Sequence, residues 1–223
     1  MSRFIRRAAV AAGALLIEAL YPGRVACALC NREAILNEQN LCASCAATLQ
    51  PCGIVPYSPP LDGLVAAYRY KDGVIAGIHA LKYNKQTRLA PFFAEAIDLP
   101  PEWRIDVVIP VPLHPFKQWL RTYNQSERIA SSLARKWSLP ANDSLLRRTR
   151  FTRTQTALDE FERAKNVARA FSASPAVKGL RVLLVDDVTT TQSTLLACAA
   201  ALKEAGASHI YAACACFAAK EPE

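Results

Sequence analysis

Negative charge is scarce in this chain. Against 27 Lys and Arg stand 19 Asp and Glu, a formal net charge of +8 at pH 7, and such an excess points toward anionic partners. Long apolar runs are also lacking. The best candidate, Ala8 to Leu20, is interrupted by Glu18 and is too short to cross a bilayer, so no transmembrane span is expected. Glycine is sparse as well, with 8 in 223 residues; at 52% apolar and 21% charged residues the chain is neither fibrous nor disordered. What remains is enough for one full hydrophobic core plus a small appendage.

The positive charge is not spread evenly. Residues 111–180 carry 13 basic and 5 acidic side chains, so the excess of this one stretch equals that of the whole chain. Arg147, Arg148, Arg150 and Arg153 lie at its centre. Such a block reads either as a phosphate or nucleic-acid surface, or as a solvated loop or helix face.

At the N-terminus, Arg3, Arg6 and Arg7 precede the apolar stretch and imitate a secretory signal. Glu18 within the run and Pro22, Gly23 and Arg24 after it argue against that reading. Residues 1–24 are instead expected to form a short apolar helix docking on the body of the protein, with membrane-surface contact as the alternative.

Eight cysteines are present, and four of them form a pattern. Cys27 and Cys30 make one C-x2-C pair, Cys42 and Cys45 another, and eleven residues separate the pairs, so two knuckles can converge on one tetrahedral ion. Thiolates are soft ligands suited to Zn²⁺ in a reducing compartment, and the expectation is a structural zinc in a cytoplasmic protein. A closed four-coordinate site leaves no place for Cys52. Cys198, Cys214 and Cys216 read as buried packing, the last two within the apolar run Ile210 to Ala219, where alternate residues share one face of a strand.

Pro51 to Pro60 reads as a turn-rich linker. Beyond it, Val74, Ile75, Ile78 and Leu81 fit one face of a helix, leaving His79, Lys82 and Lys85 toward solvent or a partner. Ile105 to Pro110 reads as a short buried strand meeting a Pro-Val-Pro turn, and Arg128 to Trp137 as a helix.

Residues 181–207 carry the most information. Val182 to Val185 form an apolar strand; Asp186 and Asp187 stand at its end; a hydroxyl-rich loop follows, then a helix from about Leu195 to Glu204 stopped by Gly206. In open α/β sheets, ligands bind beyond the carboxyl ends of the strands. Thr189, Thr190, Thr191, Ser193 and Thr194 at a helix N-terminus offer hydroxyls, backbone N–H groups and a favourable dipole to a phosphate. Carboxylates beside a phosphate make sense when the ligand also brings ribose hydroxyls, or a hydrated Mg²⁺ held through its waters. A sugar phosphate meets both demands. The alternative is local capping, with Asp186 on the turn and Thr194 on the helix.

Val182 to Thr194 resembles the 5-phosphoribosyl-1-diphosphate (PRPP) signature of type I phosphoribosyltransferases. Further motifs occur in the order seen in the ComF family: the cysteine knuckles, Leu81-Lys82-Tyr83, Pro110 to Leu113, Asn124-Gln125, Thr154-Gln155-Thr156, Arg163, Asn166 and Phe171. The resemblance covers about residues 15–218. It implies an α/β fold, a parallel Rossmann-like sheet flanked by helices over residues 61–223, with a zinc-binding ribbon and linker over 25–60. It also implies a role in competence, the uptake of transforming DNA, with competence or DNA-uptake proteins as partners. Asp186 and Asp187 would hold ribose hydroxyls and Mg²⁺, Thr190, Thr191 and Thr194 the 5-phosphate, and Thr189, Gln192 and Ser193 would complete the PRPP-binding stretch. Arg121, Arg147, Arg148, Arg150 and Arg153 would face diphosphate or nucleic acid.

Two positions depart from the family pattern. Gln192 and Thr122 stand where glycine is usual, and a left-handed backbone at Gln192 would cost about 1–2 kcal/mol. Two functions are expected on this basis. One is a phosphoribosyl transfer enzyme in which a nucleophile displaces diphosphate from C1 of PRPP. The other is a non-catalytic module gripping single-stranded DNA through residues 111–180, with Trp119, Tyr123 or Phe151 as stacking platforms.

Overall fold

A computed structural model describes residues 26–113, 123–149 and 170–219. The expected N-terminal helix, Arg121, Thr122, Arg150, Arg153, Trp119, Phe151 and the 154–166 motifs lie outside the described residues.

The elements run α1 (Ala43–Thr48), β1 (Pro51–Ile54), β2 (Gly63–Arg69), α2 (Asp72–Tyr83), α3 (Leu89–Glu95), β3 (Val107–Pro110), α4 (Gln125–Lys136), β4 (Leu146–Arg148), β5 (Phe171–Ala173), β6 (Arg181–Thr189), α5 (Ser193–Glu204) and β7 (His209–Phe217). Five strands form one sheet in the order β1-β2-β7-β6-β3; β4 and β5 form a separate antiparallel ribbon. Strands β2, β7, β6 and β3 are parallel, and β1 joins the edge antiparallel to β2.

The sequence predicts the buried centre from composition. Val182 to Val185 and Ala212 to Cys216 are fully buried, as expected for parallel strands covered on both faces. In β7 the side chains are small, which lets layers on both sides approach closely. Leu183, Val185, Ala213 and Cys216 pack with α2, α3, α4 and the cysteine knuckles. Val182, Leu184, Ala212 and Cys214 pack with α5 and the β4–β5 ribbon. Cys214 and Cys216 are therefore buried as expected but serve opposite faces, so strict alternation fails near the end of β7.

Pro51 to Ile54 lies within the predicted linker yet forms β1, pairing Gly53 with Ala66. The other edge of the sheet is also dressed. Val108 donates its N–H to Pro140 O at 2.9 Å and accepts at its carbonyl from Asn142 N at 3.0 Å, so the 140–142 segment lies along β3. At the opposite end from the acid pair, Arg181 ties β6 to the start of β3 through two guanidinium bonds to Asp106, 2.9 Å and 2.6 Å long.

Topology creates one crevice. The chain leaves β3 for α4 on one face of the sheet and leaves β6 for α5 on the other. Between the carboxyl ends of these adjacent strands the connections diverge, which is where open α/β sheets hold their ligands.

Candidate functional site

Asp186 and Asp187 stand inside β6 rather than beyond it. The strand continues to Thr189, with Asp186 in register with Cys214 and Thr189 with Phe217. Two carboxylates can remain in a strand here because the neighbouring elements satisfy them. Ser126 Oγ donates to Asp186 Oδ1 at 2.8 Å, and the Asp187 N–H donates to the same oxygen at 2.9 Å. Gln125 Nε2 donates to Asp187 Oδ2 at 2.8 Å, Lys82 Nζ lies 3.2 Å from that oxygen, and the Val188 N–H donates to Oδ1 at 2.6 Å.

The two acids are thus unequal. Both oxygens of Asp187 are engaged, whereas no hydrogen bond from the described residues falls on Asp186 Oδ2. Burial, and then the charge of Asp187, push the Asp186 carboxyl up to about 7, while Ser126, the Asp187 N–H and Lys82 pull the other way. Asp186 thus keeps one carboxylate oxygen that accepts no hydrogen bond from the described residues. An oxygen-only set of this kind suits a hydrated Mg²⁺ and ribose hydroxyls alike.

The supporting residues come from two helix ends. Asn124 caps α4, accepting from the Ser126 N–H at 3.1 Å while its own Nδ2 donates to Val111 O at 3.0 Å. Asn124, Gln125 and Ser126 are all buried, and Gln125 Oε1 accepts no hydrogen bond from the described residues. The helix starts at Gln125 rather than at the expected Arg128, which places Ser126, absent from the expected site, in its first turn. Asn124 with Glu127 three residues on is a capping-box spacing that marks the true start. Lys82, expected toward solvent or a partner, is turned inward from the last turn of α2, because Asp187 lies within its reach. Ile75, expected on the apolar face of α2, is instead 38% exposed.

Thr189, the last residue of β6, is buried, and beyond it Thr190 and Thr191 are exposed. Gln192 is the N-cap of α5 with φ 60, the left-handed conformation the missing glycine would have adopted freely. Its Nε2 donates to Pro56 O at 2.8 Å, bracing the turn against the segment after β1. The Thr191 and Ser193 hydroxyls lie 2.8 Å apart. Thr194 is already inside the helix, so it is not the cap. The turn presents hydroxyls and the first N–H groups of a 12-residue helix at the same carboxyl end of β6 that carries the acids.

Arg147 and Arg148 take opposite faces of β4. Arg147 is exposed, whereas Arg148 is half-buried with its guanidinium carbon 5.4 Å from the centre of the Phe171 ring. Burial pushes the Arg148 pKa down, with Cys198 and Asp186 acting the other way. One residue faces water, and the other is half-buried against Phe171, where the Asp186 charge acts on it.

The four cysteine sulfurs, from Cys27, Cys30, Cys42 and Cys45, all lie within 4.8 Å of one another. Cys30 Sγ and Cys42 Sγ are 3.8 Å apart, which matches the edge of about 3.8 Å for a tetrahedron with zinc–sulfur bonds of about 2.3 Å. Turns with Asn31 at φ 58 and Asn40 at φ 59 shape the two knuckles, and the Cys42 N–H donates to Cys27 Sγ at 3.3 Å. The Ser44 hydroxyl and neighbouring donors hold the Cys42 thiol down to about 6, whereas burial pushes Cys45 up. The cluster fits a structural zinc. By contrast, burial raises the Cys198, Cys214 and Cys216 thiols well out of the reactive range.

A parallel sheet with the acid pair and hydroxyl turn at its crevice defines the type I phosphoribosyltransferase fold, and the family model described as "Phosphoribosyl transferase domain" matches residues 124–223. Among known proteins, DNA utilization protein YhgH of Escherichia coli (strain K12) is 29% identical over 208 residues, covering 85% of this chain and 89% of the relative. Competence protein F of Haemophilus influenzae is 30% identical over 189 residues, covering 76% of this chain and 81% of the relative. The chain belongs to this competence protein F (ComF) family. Among solved structures, the glutamine PRPP amidotransferase from B. subtilis complexed with ADP and GMP is 25% identical with a TM-score of 0.39, covering 63% of this chain. The chain spans 28% of that larger structure. Among the described residues, no helix is long and apolar enough to cross a membrane.

Proposed function

We propose that the protein binds PRPP or a related ribose phosphate at the β6 crevice and acts in DNA uptake. The observation that carries this reading is the braced acid pair, Asp186 and Asp187, leading directly into the hydroxyl turn at the N-terminus of α5. Asp186 Oδ2 accepts from a ribose hydroxyl or from a water on Mg²⁺. The N–H groups and hydroxyls from Thr190 to Thr194 receive the 5-phosphate, where the helix dipole favours negative charge. Mg²⁺, when bound with the ligand, neutralises the diphosphate. Asp187, fixed by Lys82 and Gln125, holds its neighbour in place.

The DNA-uptake role is supported by the relatives named for competence and DNA utilization. Within that role the exposed Arg147 on β4 supports contact with single-stranded DNA. Calorimetric titration of PRPP with Mg²⁺ tests the site: wild type should bind, and Asp186→Ala/Asp187→Ala should not. Wild-type protein that takes up no PRPP would leave the fold as a DNA-handling module without a ribose-phosphate site. Release of diphosphate in the presence of acceptor bases would establish transfer.

A further inference from the structure

Helix α2 touches both chemical centres of the molecule. Its first half forms the seat of the cysteine knuckles. A Cβ placed on Gly73 would stand 3.3 Å from Cys45 Sγ, and one placed on Gly77 would stand 2.5 Å from Leu29 Cδ2 and 3.5 Å from Phe93 Cζ. Leu29 lies between the two knuckle cysteines Cys27 and Cys30 and is fully buried, so the absence of a side chain at Gly77 is what lets the knuckle close onto the helix. The last turn of α2 reaches the other centre. Lys82 Nζ is 3.2 Å from Asp187 Oδ2, and the Leu81 carbonyl accepts from the Tyr123 hydroxyl just ahead of α4.

The material between the two ends is stiff. Val74, Ile78 and Leu81 are buried in the same cluster as Leu29, Leu41, Cys45 and Phe93, and a close-packed interior passes displacement along rather than absorbing it. Twelve helical residues span about 18 Å. A change in how the knuckles sit at Gly77 therefore arrives at Lys82 as a change in its distance from Asp187. If Lys82 withdraws, Asp187 regains an unneutralised charge beside the place where an anionic ligand binds.

We propose that α2 couples the four-cysteine cluster to the acid pair, with Lys82 as the positioning residue, so that the state of the knuckles regulates ribose-phosphate affinity. The regulation rests on the reading of the acid pair as a ribose-phosphate site; the mechanical link does not. Coupling between two sites is reciprocal. Occupancy of the crevice should tighten the hold of the cysteines on zinc by the same factor that zinc tightens the hold on ligand.

The experiment uses the full chain loaded with zinc. Gly77→Ala should keep one equivalent of zinc yet bind PRPP with Mg²⁺ about tenfold more weakly. Leu29→Ala in the same chain, by making room for the added methyl, should restore affinity. Lys82→Met should retain zinc but lose the PRPP-dependent rise in zinc affinity measured by chelator competition, and Lys82→Arg should recover part of it. Where wild type binds PRPP, an affinity unchanged in Gly77→Ala, or a wild-type zinc affinity indifferent to bound PRPP, would overturn the coupling. If wild type binds no PRPP, the ribose-phosphate reading and the regulation fail together, and the link is judged by amide hydrogen exchange. Faster exchange at residues 80–83 in Gly77→Ala, with β6 and β7 unchanged, then upholds the link, and unaltered exchange there removes it. Should Gly77→Ala not fold, the Lys82 pair alone decides the outcome through the zinc measurement.

Discussion

Asp186 carries an unusual carboxyl, raised to about 7 by burial and by Asp187. Its unfolded value is near 4, so between about pH 4 and about pH 7 the folded protein binds more protons at this position than the unfolded chain does. Stability from this group is therefore greatest at the acidic end of that window and declines as pH rises through it. Urea unfolding across the window should show Asp186→Asn with a flatter pH dependence than wild type; parallel curves would refute the assignment. Gln192 stores strain of another kind. Replacing it by Gly or by Ala removes the same bond to Pro56, but only Gly accepts φ 60 without cost. The Gly variant should be more stable than the Ala variant by about 1 kcal/mol, and coincident denaturation midpoints would contradict this.

At the scale of elements, what could be read in advance depended on where each side chain's partner lies in the chain. The β6–α5 unit was legible because an apolar run, two acids, a hydroxyl loop and Gly206 follow one another directly. The knuckles were legible for the same reason: C-x2-C fixes a ligand pair locally. Lys82 was misread because its helix face alone cannot reveal Asp187, over a hundred residues away. β6 was read too short because the satisfaction of Asp186 and Asp187 by Ser126, Gln125 and Lys82 is equally remote. Strand β1 was hidden by Pro51 and Gly53, poor strand residues tolerated at an edge. The knuckle cysteines share one buried cluster with Val74, Ile78 and Phe93, which has a thermodynamic consequence. One equivalent of zinc should be found by elemental analysis, and its removal, or Cys42→Ser, should lower the unfolding temperature of the whole protein in one transition. A separate early transition with the main one unmoved would mean that the knuckles melt independently.

At the scale of the whole molecule, β4 turns its two arginines to different surroundings. Arg147 looks outward, whereas Arg148 looks toward Phe171 and the interior. Arg147→Gln should therefore reduce the salt dependence of single-stranded DNA binding by about 0.7 in slope. Arg148→Gln should leave that slope alone and weaken ribose-phosphate binding instead. Equal effects of the two changes in a filter-binding salt series would erase the distinction between the faces.

The dressed flank of β3 bears on how these molecules behave in a crowded solution. A parallel sheet with a bare outer strand invites a second chain to add its own strand, the route to fibrils and to insoluble deposits. Here residues 140–142 already occupy the main-chain groups of Val108 on that flank, and the other flank ends in β1, four residues long with Gly53 turned to φ 72. Cutting the 140–142 stretch away would uncover the flank, and such a chain should gain thioflavin-positive aggregates that the intact protein does not form.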